Sequence, residues 1–170
     1  GNNAWALEVS EPTTTPATTS IDGDVTINED GEIDITDQAG ADAVTVDSDN
    51  DVTNEGVISA EDTDDVVGIR ILPDVTSDIT VGGTITLNET YERTDDDDDG
   101  DLDGPVAEGS NRTGILVESG GTLTGSIILE GGSGIVVEGN NSAGVLVGSA
   151  LDGSFVSDGS ISVIGDNAQA

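Results

Sequence analysis

The sequence has 170 residues, with 36 Asp and Glu against three Arg, no Lys, no His and no Cys, and a formal net charge of −33 at pH 7. Without His or Cys there is no imidazole or thiolate nucleophile, and no zinc, haem or iron–sulfur site of the usual kind. The charge opposes binding to nucleic acids and anionic lipids, which proteins hold mainly through Lys and Arg, and it favours cationic partners, above all metal ions.

The N-terminal residues differ in composition from the rest of the chain. Two prolines stand in a threonine-rich run, and because proline opposes both helices and central strands, Glu11–Ser20 is predicted to be an extended linker. Before it, Trp5–Val9 alternates weakly, as either a strand at a sheet edge or a disordered leader would. We therefore predict an extended segment over residues 1–20.

Short strands separated by turns follow from Ile21 onward. Asp22-Gly23 and Asp30-Gly31 are strong turn dipeptides, and no window of the sequence carries an uninterrupted helical stripe of apolar residues. The helix content should therefore be near zero. The first predicted strands are Val25–Ile27, Ile33–Ile35, Val44–Val46, Val57–Ile58 and Ile69–Ile71.

Two repeated patterns run through the chain. In the first, a glycine precedes two or three aliphatic residues, at Gly68, Gly114, Gly134 and Gly144. In the second, a glycine and a Thr or Ser precede Ile-x-Leu or Ile-x-Val, at Gly83, Gly125 and Gly159, with a degenerate copy at Gly56. An acidic insertion at about residues 91–112 lengthens the interval between Gly68 and Gly114.

Repeats of this length, built from short strands and tight turns, are typical of a solenoid, whose windings bury their aliphatic residues only by stacking. We predict an all-β fold, a right-handed parallel β-helix over residues 21–170. Its inward Val, Ile and Leu would form columns, with Thr, Ser, Asp and Glu facing water. An antiparallel sandwich also gives many short strands, but it does not require Gly-Ile-x-Val to recur at near-constant spacing.

Several of these segments resemble the passenger region of bacterial autotransporters, the β-helical surface proteins of Gram-negative cells. Val52–Ser59, Ser77–Leu87 and Ser149–Val163 are similar to that family's I-x-N-x-G-x-I and A-x-G-I-x-V coil patterns, and the resemblance covers about Val44 to Ala170. The acidic insertion Thr94–Pro105 is similar to one in passengers of alphaproteobacterial members.

The resemblance implies a location at the cell surface, outside the cell and attached to the outer membrane. It also implies a C-terminal barrel, which this sequence does not contain. The chain stops at Asn167–Ala170, where another Gly-Ile-x-Val would be expected. We therefore expect either the N-terminal part of a longer polypeptide or a subunit that stacks on its neighbours.

The acidic insertion matches the first nine positions of a calcium-binding loop. Asp95, Asp97 and Asp99 occupy positions 1, 3 and 5, Gly100 allows the sharp turn, and Asp101 adds a carbonyl ligand. A run of like charges is otherwise typical of a solvated loop, but a divalent cation would relieve the repulsion between these carboxylates.

The calcium motif is incomplete, because Val106 stands where a bidentate Glu is expected. Asp103 or Glu108 would have to replace that ligand. The predicted metal ligands are Asp95, Asp97, Asp99, Asp101 and Asp103, with Ca²⁺ as the ion. Asp47–Asp51 has the same alternate spacing without the glycine, which is more typical of a polar corner.

We predict a structural or adhesive cell-surface element, a stalk or passenger segment stabilised by calcium, with no binding to nucleic acid and no insertion of this segment into the membrane. The alternative is a self-assembling filament or surface-layer subunit in which residues 1–20 add a strand to the neighbouring copy. A carbohydrate-active enzyme would use paired carboxylates, but such sites usually also grip sugar with Arg, Lys or aromatic residues, so we predict no enzymatic activity. Arg70, Arg93 and Arg112 are each expected to form a local salt bridge.

Overall fold

The computed structural model describes residues 6–170. It contains nineteen strands and one short helix, α1, at Thr19–Asp22. The strands are β1 Ala6–Val9, β2 Pro12–Thr13, β3 Ala17–Thr18, β4 Asp24–Ile27, β5 Glu32–Asp34, β6 Asp42–Val46, β7 Val52–Asn54, β8 Val57–Glu61, β9 Val66–Ile71, β10 Ile79–Val81, β11 Thr84–Asn88, β12 Arg112–Val117, β13 Thr122–Thr124, β14 Ile127–Leu129, β15 Gly134–Glu138, β16 Ala143–Val147, β17 Ala150–Asp152, β18 Phe155–Ser157 and β19 Ser160–Ile164.

The strands form three long sheets, and the chain visits them in the same order in each winding. Sheet A has the order β1-β4-β7-β10-β14-β18, sheet B the order β2-β5-β8-β11-β15-β19 and sheet C the order β3-β6-β9-β12-β16. A two-stranded sheet, β13-β17, is added in the last windings. Every pair between named strands is parallel, for example β4 with β7 and β8 with β11, which excludes the antiparallel sandwich.

Aliphatic side chains from successive windings lie in register inside the three sheets, as the sequence predicts. In sheet B, Ile33, Ile58, Ile85 and Ile135 are consecutive partners and are at most 1% exposed. The matching columns are Val25, Val52, Ile79 and Ile127 in sheet A, and Val44, Ile69, Ile115 and Val145 in sheet C. Full burial stabilises each such side chain by about 1.5–3 kcal/mol, so stacking supplies the main driving force for folding.

A column of glycines in sheet C explains the first repeat pattern. A Cβ on Gly114 would lie 2.5 Å from the carbonyl oxygen of Gly144 and 2.8 Å from Cγ2 of Ile135. Gly68 is equally crowded by the carbonyl of Gly114. No side chain larger than hydrogen fits where the windings approach so closely.

The assignment of glycines to two repeat classes is partly wrong. Gly134 lies in sheet B, where it pairs with Thr84, and not with the glycines of sheet C. Gly125 precedes β14 of sheet A, whereas Gly83 and Gly159 precede strands of sheet B. A glycine before alternating aliphatic residues marks the entry to a strand in any of the sheets, so the local pattern does not identify the sheet.

The prediction of a linker over Glu11–Ser20 is wrong, because the first winding of the solenoid begins ahead of it. β1 pairs with β4, β2 with β5 and β3 with β6, so the weak alternation over Ala6–Val9 is indeed a strand at the edge of a sheet. Pro12 is tolerated because β2 is the edge strand of sheet B, where one side of the backbone needs no donor. Trp5 lies outside the described residues.

Carboxylates at the corner before sheet A cap the following winding. The side chain of Asp24 accepts a hydrogen bond from the backbone N–H of Asp51, that of Asp51 from Asp78, and that of Asp78 from Ser126, each at 2.9 Å. Asp47–Asp51 belongs to this corner, between β6 and β7, in agreement with the prediction that it is a polar corner. Many of the acidic residues therefore satisfy backbone donors between windings.

Candidate functional site

The acidic insertion is the feature that departs most from the regular winding. Residues 62–65 and 139–142 link sheet B to sheet C in neighbouring windings, whereas residues 89–111 make the same link between β11 and β12. The insertion predicted at about residues 91–112 is therefore present, with slightly earlier bounds. Arg112 itself is the first residue of β12.

Glu89 and Arg112 join the two ends of the insertion. Nη1 of Arg112 donates to Oε2 of Glu89 at 2.7 Å, and the two side chains are 3% and 4% exposed respectively. Glu89 also accepts hydrogen bonds at 2.8 Å from the backbone N–H groups of Glu108 and Gly109. Glu89, Glu108, Gly109 and Arg112 thus form a closed, hydrogen-bonded base for the insertion, which we call the neck.

The guanidinium of Arg112 also ties the neck to neighbouring windings. Nε donates to the carbonyl of Thr63 at 2.9 Å, Nη1 to the carbonyl of Glu138 at 2.7 Å, and Nη2 to the carboxylate of Asp64 at 3.1 Å. A buried charge needs such partners, and the planar fork of arginine reaches several at once. Arg112 forms the predicted salt bridge, but its partners are distant in sequence.

The neck sets the ionisation of Glu89. Burial on its own would raise the pKa of this carboxyl group. The hydrogen bonds from Arg112, Glu108 and Gly109 together outweigh burial and lower the pKa below its ordinary value. Glu89 is therefore held as the carboxylate, in the form that pairs with Arg112.

At the tip of the insertion, three of the five predicted metal ligands come together. One carboxylate oxygen from each of Asp95, Asp97 and Asp99 lies within 4.8 Å of the others, and all three residues are exposed. The carboxylate of Asp95 accepts hydrogen bonds from the backbone N–H groups of Asp99 and Gly100, at 3.2 and 3.0 Å. Gly100 has a φ of 100°, so it makes the sharp turn that the motif requires.

Asp101 and Asp103 are not in that cluster. Asp101 donates its backbone N–H to the carboxylate of Asp99 at 3.1 Å, and the carboxylate of Asp103 accepts the N–H of Asp96 at 2.7 Å. Asp103 also pairs with Thr94 through the backbone, which closes the tip into a small loop. The oxygen donors of Asp95, Asp97 and Asp99 suit a hard cation such as Ca²⁺, which takes six to eight oxygen ligands.

Two shallow clefts lie beside the neck. The first, of about 470 Å³, is lined by charged groups that include Asp62, Asp64 and Arg112. In it, hydrogen bonds from the backbone and side chain of Thr90 lower the pKa of Asp62. The second, of about 380 Å³, lies between the insertion and the end of sheet B, and its lining is half charged and half apolar.

A pair of carboxyl groups meets at the corner between sheets A and B, which the sequence did not indicate. A Cβ added to Gly82 would contact Oε2 of Glu55, and it would lie 2.7 Å from Oε1 of Glu130. The side chains of Glu55 and Glu130 therefore meet over a glycine in the winding between them. Burial raises the pKa of Glu55, and the charges of Glu130 and Glu29 add to the effect.

Arg70 makes the second of the three predicted salt bridges. It lies on the outer face of sheet C and pairs with Asp42 at 2.9 Å and with Glu118, so it links three windings. The salt bridge predicted for Arg93 is wrong, because no acidic group within residues 6–170 forms an ion pair with Arg93 within 4.0 Å. Its position in the insertion leaves it exposed.

No protein-family model, no curated protein and no solved structure matches this chain. Within residues 6–170, no helix has the length and apolar character that crossing a membrane would need.

Proposed function

We propose that this chain is a structural or adhesive element of a bacterial cell surface, a stalk or passenger segment of an autotransporter-like protein. The observation that carries the proposal is the set of aliphatic columns through three parallel sheets, such as Ile33, Ile58, Ile85 and Ile135. Stacked windings give a rod in which each winding contacts only its neighbours, and such a rod needs no disulfides.

We further propose that the solenoid is a right-handed parallel β-helix. Connections between parallel strands of one sheet are right-handed in about 98% of cases, because the twist of the strands favours that hand. Each strand of sheet A here reaches the next strand of the same sheet by way of sheets B and C.

The surface charge supports the proposal of a stalk whose copies stand apart from one another. Thirty-six acidic residues against three Arg keep neighbouring rods apart by repulsion and keep each rod soluble. Many of these carboxylates also cap backbone donors between windings, as Asp24, Asp51 and Asp78 do. One composition therefore serves both solubility and the stacking of windings.

We propose that Ca²⁺ binds at Asp95, Asp97 and Asp99 and orders the insertion. Asp101 and Asp103 would act from the flanks, Asp101 through its carbonyl. The neck formed by Glu89 and Arg112 supports this proposal because it anchors the ends of the loop on the solenoid. A cation at the tip would then stiffen a loop that already has a fixed base.

Calorimetry tests the calcium site. Ca²⁺ should raise the melting temperature relative to a chelator, and Asp97→Asn should abolish most of that shift. Asp30→Asn, which removes one charge from an exposed turn, is the matched control and should keep the shift. An equal response of the two variants, or no response of the parent chain, would remove calcium from the proposal.

Surface display tests the passenger role. The chain would be fused ahead of an autotransporter barrel and produced in a Gram-negative host. A passenger segment should reach the outside of intact cells. A protease added to those cells should then degrade the segment once the segment has been partly unfolded. Retention in the periplasm, with the barrel correctly inserted, would count against the role.

The filament alternative has weaker support. The strands that would be donated to a neighbour, β1, β2 and β3, already pair with β4, β5 and β6 of the same chain. Strand addition by residues 1–20 would first have to release these pairs. Deletion of these residues distinguishes the two functions, since a filament would dissociate whereas a stalk would stay monomeric and lose only its first winding.

A further inference from the structure

The second cleft beside the neck includes apolar side chains that the stalk role does not use. Its walls come from the insertion and from the end of sheet B, and its apolar lining residues are Tyr91, Leu102, Val106 and Ile164. Ile164 stands beside Glu138 in the register of β15 and β19. The volume of the cleft, about 380 Å³, lies within the range of about 300–1,000 Å³ typical of ligand pockets.

The three aliphatic residues of the cleft are exposed. Leu102 is 55% and Val106 37% exposed within an insertion that is otherwise strongly polar, and Ile164, at the end of sheet B, is 49% exposed. The hydroxyl of Tyr91 donates to the carbonyl of Pro105 at 2.8 Å and so connects the two arms of the insertion. Grouped apolar side chains at a surface commonly mark an interaction site.

The rim of the cleft is acidic. Glu92 and Glu138 line it, and the nearly buried Glu89 also belongs to the lining of the cleft. Arg93 is the one cation that lines the cleft. A partner with positive charges would be attracted to this rim, and a second copy of the chain, at −33, would be repelled.

We propose that this cleft binds a cationic peptide segment in which one apolar side chain is flanked by Lys or Arg. The apolar side chain would lie against Leu102, Val106 and Ile164, and the flanking cations would face Glu92 and Glu138. The proposal deepens the adhesive part of the proposed function by naming a partner chemistry, and it rests on that function only in assuming that the chain binds a partner.

A peptide of this kind would use both the apolar and the acidic residues of the cleft. Apolar contact without the charged rim would not select between partners, and the rim alone would bind any polycation weakly and with strong dependence on salt. A flanked apolar residue uses both surfaces together. Specificity then comes from the apolar contact, and the rate of association from charge.

Titration calorimetry on the full chain tests the proposal with three synthetic peptides, Lys-Lys-Leu-Lys-Lys, Lys-Lys-Ser-Lys-Lys and Glu-Glu-Leu-Glu-Glu. The leucine peptide should bind. The serine peptide should have an affinity at least about tenfold lower, since loss of apolar contact in a pocket has about that effect. The acidic peptide should not bind. Equal affinity for the leucine and serine peptides would reduce the site to unspecific charge attraction and overturn the proposal.

Variants locate the binding on the molecule. Leu102→Ser and Ile164→Ser should each weaken binding of the leucine peptide about tenfold, whereas Ile21→Ser, at an aliphatic residue that is 76% exposed in α1, should leave it unchanged. Arg93→Ser should strengthen binding, because it removes the cation from the rim. Circular dichroism confirms that each variant is folded, and unchanged binding by both cleft variants would overturn the proposal.

The outcomes remain separable from those of the stalk role. Failure of the peptide to bind, in a chain that still reaches the cell surface as a fused passenger, would refute the cleft alone. Binding by a chain that fails in surface display would refute the passenger role and leave the cleft standing.

Discussion

Nη1 of Arg112 and Oε2 of Glu89 lie 2.7 Å apart, and this ion pair joins the first residue of β12 to the first residue after β11 through side chains that are almost fully buried. The pair therefore bridges the full insertion. The contact makes the insertion an anchored loop on a regular solenoid. Loops with close, well-packed ends are often functional.

Removal of Arg112 should destabilise the chain strongly. Arg112→Gln leaves the buried carboxylate of Glu89 without its cation, and loss of one partner of a buried pair costs about 3–5 kcal/mol. Arg112→Lys should recover little of this, because lysine lacks the fork that reaches Thr63, Asp64 and Glu138. Urea unfolding followed by circular dichroism measures the loss.

Arg70→Gln is the control for that substitution. Arg70 also forms two ion pairs between windings, but its side chain is 27% exposed, and exposed pairs contribute about 0–1 kcal/mol. An equal loss of stability in the Arg70 and Arg112 variants would show that burial of the neck has no special effect.

Acid should weaken the neck. The folded pKa of Glu89 is lowered, so its contribution to stability is complete above the ordinary glutamate pKa of about 4.3 and is lost as the pH falls through the folded value. The free energy of unfolding should therefore fall below about pH 4. Glu89→Gln should be less stable at neutral pH and should show a flatter decline in acid, and a decline as steep as that of the parent chain would refute the assignment.

The carboxyl pair over Gly82 should act in the opposite direction. The folded pKa of Glu55 is raised, so its effect favours the folded state at low pH and is lost as the pH rises through the folded value. Glu130→Gln should therefore raise the melting temperature at pH 7, with a gain of about the 0.2–1 kcal/mol typical of exposed charge pairs. Glu8→Gln, on the exposed face of β1, is the control, and a gain as large in that variant would point to net charge as the cause.

The glycine column of sheet C should not tolerate alanine. Gly114→Ala would place a methyl group 2.5 Å from the Gly144 carbonyl, and overpacking of this kind costs about 1–3 kcal/mol or more. Gly131→Ala is the matched control, since a Cβ there meets no heavy atom within 4 Å. Thermal unfolding compares the two, and equal stability would mean that the windings can separate at the column.

Trypsin should cut the folded chain after Arg93. The side chain of Arg112 is 3% exposed. Arg70 lies in β9, and two ion pairs hold its side chain against the neighbouring windings. Both arginines are therefore protected from trypsin in the folded state. Fragments 1–93 and 94–170 should remain together, because β12 pairs with β9 and β15 with β11 across the cut. Mass spectrometry after limited digestion gives the sites, and early cleavage after Arg70 or Arg112 would contradict the burial described.

Alternating aliphatic residues made the strands and their columns predictable, because inward and outward positions follow directly from the pleat of a strand. Ile33, Ile58 and Ile85 lie in such runs, and their stacking follows from the repeat. The repeat did not predict that Gly134 and Gly125 belong to other sheets, since the same short pattern begins strands in all of them. Pro12 misled for a related reason: a residue unsuited to a central strand is acceptable at an edge, and the sequence does not mark which strand is the edge.

The acidic tip was also visible in sequence, because its donors are close together along the chain, as Asp95, Asp97 and Asp99 are. The neck was not visible. Arg112 meets Thr63 and Glu138, which come from the windings on either side, and such contacts depend on how windings stack. The only signal was the scarcity of cations, which made each arginine a candidate for an ion pair.

The stacking of windings is tested most directly by distances between spin labels on sheet A. The chain has no Cys, so a single cysteine pair can be introduced without background. Thr26, Thr53, Thr80, Ile128 and Val156 are successive partners in register. Labels at Thr26 and Thr80, at Thr26 and Ile128, and at Thr26 and Val156 should be separated by backbone distances of about 10, 14 and 19 Å, since neighbouring strands lie about 4.8 Å apart. Separations that do not increase in equal steps along this series would contradict the solenoid.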